Sequence, residues 1–371
     1  MTTTPKQVAR AAAALTLAGA GVVLATSPAA QAADLSATAG DEVSLRSAVD
    51  TANTNGDASD TITVPAGTYA LTAGVDDDNT AGDLDILNGT VIIEGAGAGS
   101  TVIDGGDLAR GFHVASGATL VLRNVTVTGG VGEGAPSAAG GGSGGAVLNQ
   151  GTLIVENSTL TGNSAERAGG AIEASPGSST ELTNATLADN ATGAAPGNGG
   201  GLHITGNGAA TISGGAVTGN TAAAEGGGLW NGTGTMTLNG VTLADNTASG
   251  PEAANGGGGA YQLPGGTLTI SGGQITGNDA DGTAGSGGGI LVDGGTVSVT
   301  GTTISGNSAN RAGGGIEITP VDGADLTLDT VVLTPNSAGP APGNGGALHI
   351  SGSADSSISD STITENTATR E

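Results

Sequence analysis

The chain has 371 residues, 73 of them glycine, and its aromatic side chains are Tyr69, Phe112, Trp230 and Tyr261, too few to build a conventional globular core. Lys and Arg number 8 against 34 Asp and Glu, a formal charge of −26 that repels nucleic acid and anionic lipid. Cysteine is absent, which excludes disulfides and thiolate metal sites.

Residues 1–32 read as a secretory leader. Lys6 and Arg10 precede an apolar run from Ala11 to Ala25, and Ala30-Gln31-Ala32 offers a small-residue cleavage site after Ala32. The expected location is secreted, extracellular or cell-surface associated. The apolar run is short for a membrane span, and no later stretch is a candidate. Past the leader, 34 acids face six arginines and no lysine, a formal charge of −28.

Residues 33–90 read as an N-terminal cap with lead-in strands. Ser44 is placed to N-cap a short helix whose apolar positions Leu45, Ala48, Val49 and Ala52 share one face. A strand follows at Thr61–Val64, then a Pro65-Ala66-Gly67 turn and a strand around Tyr69–Leu71. The helix covers strand edges that the first coil would otherwise leave open. Next comes an acidic cluster, Asp76, Asp77 and Asp78 with Asp83 and Asp85, which is the calcium candidate of this chain.

From residue 91 to 371 an asparagine returns every turn: Asn163, Asn190, Asn220, Asn246, Asn278, Asn307, Asn336 and Asn366. Upstream of each lies an alternating pair, as in Leu153/Val155, Met236/Leu238, Val297/Val299 and Ser356/Ile358, and then one aliphatic residue, as in Leu160, Leu243 and Ile363. Alternation at a fixed interval means stacked strands, one supersecondary unit per repeat. Two earlier coils keep the phase, with Gly130 in place of the asparagine in the second. The predicted fold is an all-β, right-handed parallel β-helix of about ten coils with a short N-terminal capping helix. At roughly 4.8 Å per coil it forms a rod on the order of 45 Å long. Stacked asparagines satisfy one another's buried amides, so these residues read as a structural ladder. After each of them a loop leads to Gly-Gly and an aliphatic residue, as in Gly169-Gly170-Ala171-Ile172, where glycine permits a tight corner.

A longer repeat overlies the short one. Residues 151–173 align with 295–317, pairing Arg167 with Arg311 and Glu173 with Glu317, and residues 194–206 align with 340–352, pairing His203 with His349. Duplication of a five-coil block accounts for the pairing. His113, His203 and His349 fall in separate coils, which argues against zinc. The loops between Asn and Gly-Gly alternate in size. Ser164–Ala168 and Ser308–Ala312 are short, while Ala191–Asn198, Thr247–Asn255 and Ser337–Asn344 are longer and carry proline. Longer loops along one edge are where a solenoid places recognition. Beyond Asn366 only a few residues follow and no capping segment is seen, which invites end-to-end contact there.

Gly-Gly-Ala-Ile at Gly169–Ile172 and aliphatic-x-x-Asn at Leu160–Asn163 resemble the repeats of chlamydial polymorphic membrane proteins, with Leu, Val or Ile where those use Phe. Ser44-Leu45-Arg46-Ser47-Ala48 resembles the Cys-Ser-Leu-Arg-Glu-Ala opening of secreted bacterial parallel β-helix proteins, Val43 replacing the Cys and Ser47 the Glu. Gly82-Asp83-Leu84-Asp85-Ile86 and Thr101-Val102-Ile103-Asp104-Gly105 are similar to that family as well. The resemblance implies a pectin-lyase-like fold, which hosts lyases, hydrolases and adhesins alike.

The sequence favours a non-enzymatic protein of the cell envelope or extracellular space, an adhesion or scaffold protein that takes a polysaccharide or cell-surface glycan. No cofactor is required, and calcium at the acidic cluster is the exception kept open. A polysaccharide lyase is the enzyme alternative, with Arg110 and Arg123 the nearest bases to the acids. Hydrolysis needs an acid pair on one sheet with His and basic residues beside it, and the sequence alone reveals no such set. Ice binding is a lesser alternative, suggested by Thr235/Thr237, Thr267/Thr269 and Thr296/Ser298, and interrupted at Glu181, Ala209, Asp325 and Asp355. Thr is also the polar residue best suited to an exposed strand.

Overall fold

The computed structural model describes residues 33–72, 79–132, 134, 141–321 and 323–370. The leader and Asp76, Asp77 and Asp78 therefore lie outside the described residues. One turn shows how the chain is built. It runs through strands Thr152–Glu156, Thr159–Thr161, Ser164–Ala165 and Ile172–Ala174, each paired in parallel with its counterpart in the next turn. Four sheets result, here numbered in that order, with 12, 11, 8 and 10 strands respectively. The fold is an all-β parallel β-solenoid of about eleven turns with very little helix, consistent with the expected right-handed parallel β-helix. The sequence counts about ten coils. Strands Ser59–Val64, Gly67–Ala70 and Leu84–Ile86 make the difference, because they take places in the first, second and fourth sheets.

Alternation fixes the core. Leu153 and Val155 point inward and are fully buried, while Thr152, Ile154 and Glu156 face outward. The same holds turn after turn, so one apolar column runs from Ala37 to Ala347. Each Leu, Ile or Val in it contributes roughly 1.5–3 kcal/mol relative to exposure. In the last turn Ile358 and Ile363 are nearly half exposed, and the neighbouring Ile350 is 40% exposed.

Between the second and third sheets the asparagines turn inward and stack. Asn163 Nδ2 donates to Asn190 Oδ1 at 2.9 Å and to Val127 O at 3.2 Å. The pattern repeats at 2.9 Å through Asn220, Asn246, Asn278, Asn307 and Asn336 to Asn366. Each backbone N–H on the ladder also donates to the next side-chain oxygen, as Asn220 does to Asn246 at 3.0 Å. Gly130 N–H donates to Asn163 Oδ1 at the near end.

The capping helix α1 spans Glu42–Thr54 and buries Leu45, Ala48, Val49 and Ala52 against the first strands. Its N-cap is Asp41, whose carboxylate accepts from Val43 N–H at 3.2 Å; Ser44 does not fill that role. The Ser44 hydroxyl instead donates to Asp41 O and accepts from Thr38 N–H, tying the lead-in to the first turn of the helix. Arg46 is buried and donates to the carbonyls of Ala81, Gly82 and Asp83, which anchors the segment leading into the fourth sheet. Among the described residues no helix is long and apolar enough to cross a membrane.

Candidate functional site

The fourth sheet carries the chemistry of this chain. Its strands are three residues long, and their first and third residues, such as Ile172/Ala174 and Leu202/Ile204, enter the core. The middle residue must then face outward. Register places these middle residues in one column: Asp85, His113, Leu148, Glu173, His203, Trp230, Tyr261, Leu291, Glu317 and His349.

Three histidine–carboxylate pairs stand in this column. His113 Nδ1 lies 2.8 Å from Asp85 Oδ1, His203 Nδ1 2.8 Å from Glu173 Oε2, and His349 Nδ1 2.7 Å from Glu317 Oε2. A carboxylate on Nδ1 selects the tautomer that donates there and leaves Nε2 to accept. Hydroxyls complete two of the pairs. Thr205 donates to Glu173 Oε1 at 2.5 Å, and Ser351 to Glu317 Oε1 at 2.8 Å. Cations border them. Arg311 Nη1 is 3.1 Å from Glu317 Oε1, and Arg167 Nη1 donates to Ser143 Oγ at 3.1 Å beside Glu173.

The middle of the column is aromatic and apolar. His203 stacks on Trp230 at 4.2 Å and Trp230 on Tyr261 at 5.8 Å, and with Leu291 the two aromatics form an apolar cluster outside the main core. Their polar ends are tied down. Trp230 Nε1 donates to Glu225 at 3.0 Å and Tyr261 OH to Asp293 at 3.0 Å. Two depressions flank Glu173 and His203. One of about 410 Å³ is lined by Ser116, Gln150, Arg167, Glu173, Ser175, Pro176 and Thr205. The other, about 200 Å³, includes Arg167, Pro196, Asn198, His203, Thr205 and Trp230. The stretch read as one long loop opens with the third-sheet strand Ala191–Thr192, and its remainder brings Pro196 and Asn198 to the wall of the second.

Ionisation follows the contacts. Burial pushes the Glu173 carboxyl up, but His203, Thr205 and Arg167 together outweigh it and hold the group below its usual range. Burial raises Glu225, against hydrogen bonds from Trp230 and Asn255. Burial also raises the Tyr261 phenol, so it stays neutral and donates. The hydrogen bond that His113 donates to Asp85 raises the imidazole above the usual 6.5, with burial opposing and the Asp85 charge assisting. A raised histidine stabilises the fold fully below its unfolded value and loses that contribution as pH rises through its folded value. The urea midpoint should therefore fall as pH is raised past 6.5, and His113→Gln should flatten that part of the profile. An unchanged slope in the variant would remove His113 as its source.

Of the calcium candidates, Asp83 accepts from Arg110 Nη1 at 2.7 Å and Asp85 lies 2.8 Å from His113 Nδ1, so both carboxylates have side-chain partners within the protein. Among the described residues no three His, Asp or Glu side chains gather as metal ligands. The histidines do fall in separate turns, yet each sits directly beside an acid of the adjacent turn. Each of these partnerships sets one carboxylate beside one histidine, with Arg167 or Arg311 next to two of them, a grouping that the sequence alone does not reveal. The signal was present in Gly-Gly-Ala-Ile-Glu at 169–173 and Gly-Gly-Leu-His at 200–203, read one residue beyond the aliphatic position.

No family model matches the chain, and no curated protein matches it in sequence. Among solved structures it is similar to the A-module of the mannuronan C-5 epimerase AlgE6 of Azotobacter vinelandii. The identity is 18% and the TM-score 0.31, over 88% of this chain and 96% of that one. It is also similar to the PL6 family alginate lyase AlyGC at 15% identity and a TM-score of 0.39, over 91% of this chain and 41% of that one. The likeness reaches no further than the fold.

Proposed function

We propose that the protein is an exported, non-enzymatic scaffold or adhesion protein that holds a neutral polysaccharide on the outer face of its fourth sheet. The observation that carries this reading is the meeting of Arg167, Glu173, His203 and Thr205 between two depressions that share Arg167 and Thr205. Such a set offers fixed donors and acceptors to hydroxyl groups along a face built of equal steps. The charge pattern supports a neutral ligand. Arg110 is bound to Asp83, Arg311 to Glu317, and Arg167 stands beside ionised Glu173, so a polyanion meets compensated cations on a strongly acidic rod. The leader and the family resemblances support placement at the envelope or outside the cell.

Hydrolysis by two carboxylates requires them within about 10 Å of each other. Glu173 and Glu317 are five strands apart in the sheet, about 24 Å, so these two do not act as one pair. A lyase is the second reading, favoured by His203 as a base with Arg167 beside it, and it would require a uronate substrate.

Calorimetric titration of the leaderless protein with neutral and uronate polysaccharides tests both. Binding of a neutral polymer, weakened at least about tenfold by Arg167→Ala with the fold intact, is the expected result, a loss of about 1.4 kcal/mol. Unsaturated products released from a uronate polymer, and lost in His203→Gln, would replace the binding reading with the lyase.

A further inference from the structure

The Arg–Glu–His–hydroxyl constellation occurs twice on the same face, its second copy repeating each of the four side-chain types. Glu317 takes the place of Glu173, His349 that of His203, Ser351 that of Thr205 and Arg311 that of Arg167. The agreement extends to a further serine: Arg167 reaches Ser143 Oγ at 3.1 Å and Arg311 reaches Ser286 Oγ at 2.9 Å. Both copies touch solvent. Arg167 and Thr205 are half-buried, and the side chains of Arg311 and His349 are 22% and 24% exposed.

Sheet order sets the distance between them. Strands Ile172–Ala174 and Ile316–Ile318 are separated by five steps in the fourth sheet, about 24 Å along the axis. Between the two lie buried Trp230, Tyr261 and Leu291, and the polar ends of the two aromatics are already bonded within the protein. A strand spacing of about 4.8 Å is close to the advance of one residue in an extended pyranose chain. One sugar per turn is then the natural register on this face.

We infer that the two constellations are equivalent holds on a single ligand chain, so that the face is bivalent and its ligand is an extended polysaccharide of at least about six residues. This rests on the polysaccharide reading given above. The second hold turns a separate encounter into an intramolecular one, and affinity rises with no new kind of contact. The intervening Trp230, Tyr261 and Leu291 are buried, so the chain passes over the segments that cover them and is held at its two ends.

The test is a length series. Oligomers of β-1,4-linked glucose, mannose and N-acetylglucosamine, from about two to about ten residues, are titrated against the leaderless full chain. In the series that binds, affinity should climb on the order of 100-fold between oligomers too short and those long enough to reach both holds. Glu317→Gln should abolish the climb and leave short-oligomer affinity at the first hold unchanged. Ser351→Ala, a milder change at the same hold, should reduce the climb with an unaltered melting profile. Affinity that rises smoothly with length, or a climb that survives both substitutions, would overturn bivalency and leave the single-site reading standing. No binding by any oligomer, with the same preparations correctly folded, would instead overturn the polysaccharide reading itself.

Discussion

Replacing Asn246 with aspartate should destabilise the solenoid by about 3–5 kcal/mol. The side chain is fully buried. Its Nδ2 donates to Asn278 Oδ1 at 2.9 Å and to Val217 O at 2.9 Å, while its Oδ1 accepts from Asn220 Nδ2 at 2.9 Å and from Asn220 N–H at 3.0 Å. Aspartate keeps the acceptor and loses both donated bonds. It then presents a carboxylate to two oxygens in a fully buried site. Exposed Thr235→Ala serves as the control and should stay within about 0.5 kcal/mol. Because each turn contacts only its neighbours, amide exchange should accelerate first in the turns around Asn220 and Asn278. Equal urea midpoints for the two variants would contradict the buried ladder.

The second large effect is expected at Gly227. A Cβ added there would lie 2.4 Å from Gly258 O and 2.5 Å from Thr247 C and O, all backbone atoms fixed by the sheets. Neither turn can withdraw without breaking parallel pairing, so Gly227→Ala should cost about 3 kcal/mol or more. Gly240 offers the comparison. It sits at φ +63° with nothing within 4 Å of the added carbon, so alanine there meets only the left-handed penalty of about 1–2 kcal/mol. If urea unfolding gave Gly240→Ala the larger loss, turn-to-turn spacing would not be what limits this corner.

These two residues also mark what the sequence makes legible. Asn246 belongs to a series that recurs with little variation, and its inward pairs alternate cleanly, because the core tolerates neither a shift of register nor a polar intruder. The solenoid and its ladder follow from that constraint. The outward column is different. Glu173 and His203 stand 30 positions apart, and Glu317 and His349 stand 32 apart, because the loops between them vary in length. Positions that point away from the central column carry no periodic signature, so a chemical partnership across turns emerges only once the Gly-Gly frame is carried outward by one residue. The helix start was misplaced for a local reason: Asp41 and Ser44 both offer oxygens near its first turn, and the backbone geometry assigned the cap to Asp41.

The asparagine stack has a further consequence, which concerns direction. From Asn163 to Asn336 every side-chain carbonyl points toward the preceding turn and accepts from it, while an Nδ2 hydrogen points toward the next. The amide dipoles therefore add along the axis, as peptide dipoles add along an α-helix, with the positive end toward Asn366. Each bond polarises the next, and a break in the middle weakens amides on both sides of it. Substitutions at two neighbouring asparagines should then cost less together than the sum of each alone, since the first already interrupts the current of polarisation that the second would lose.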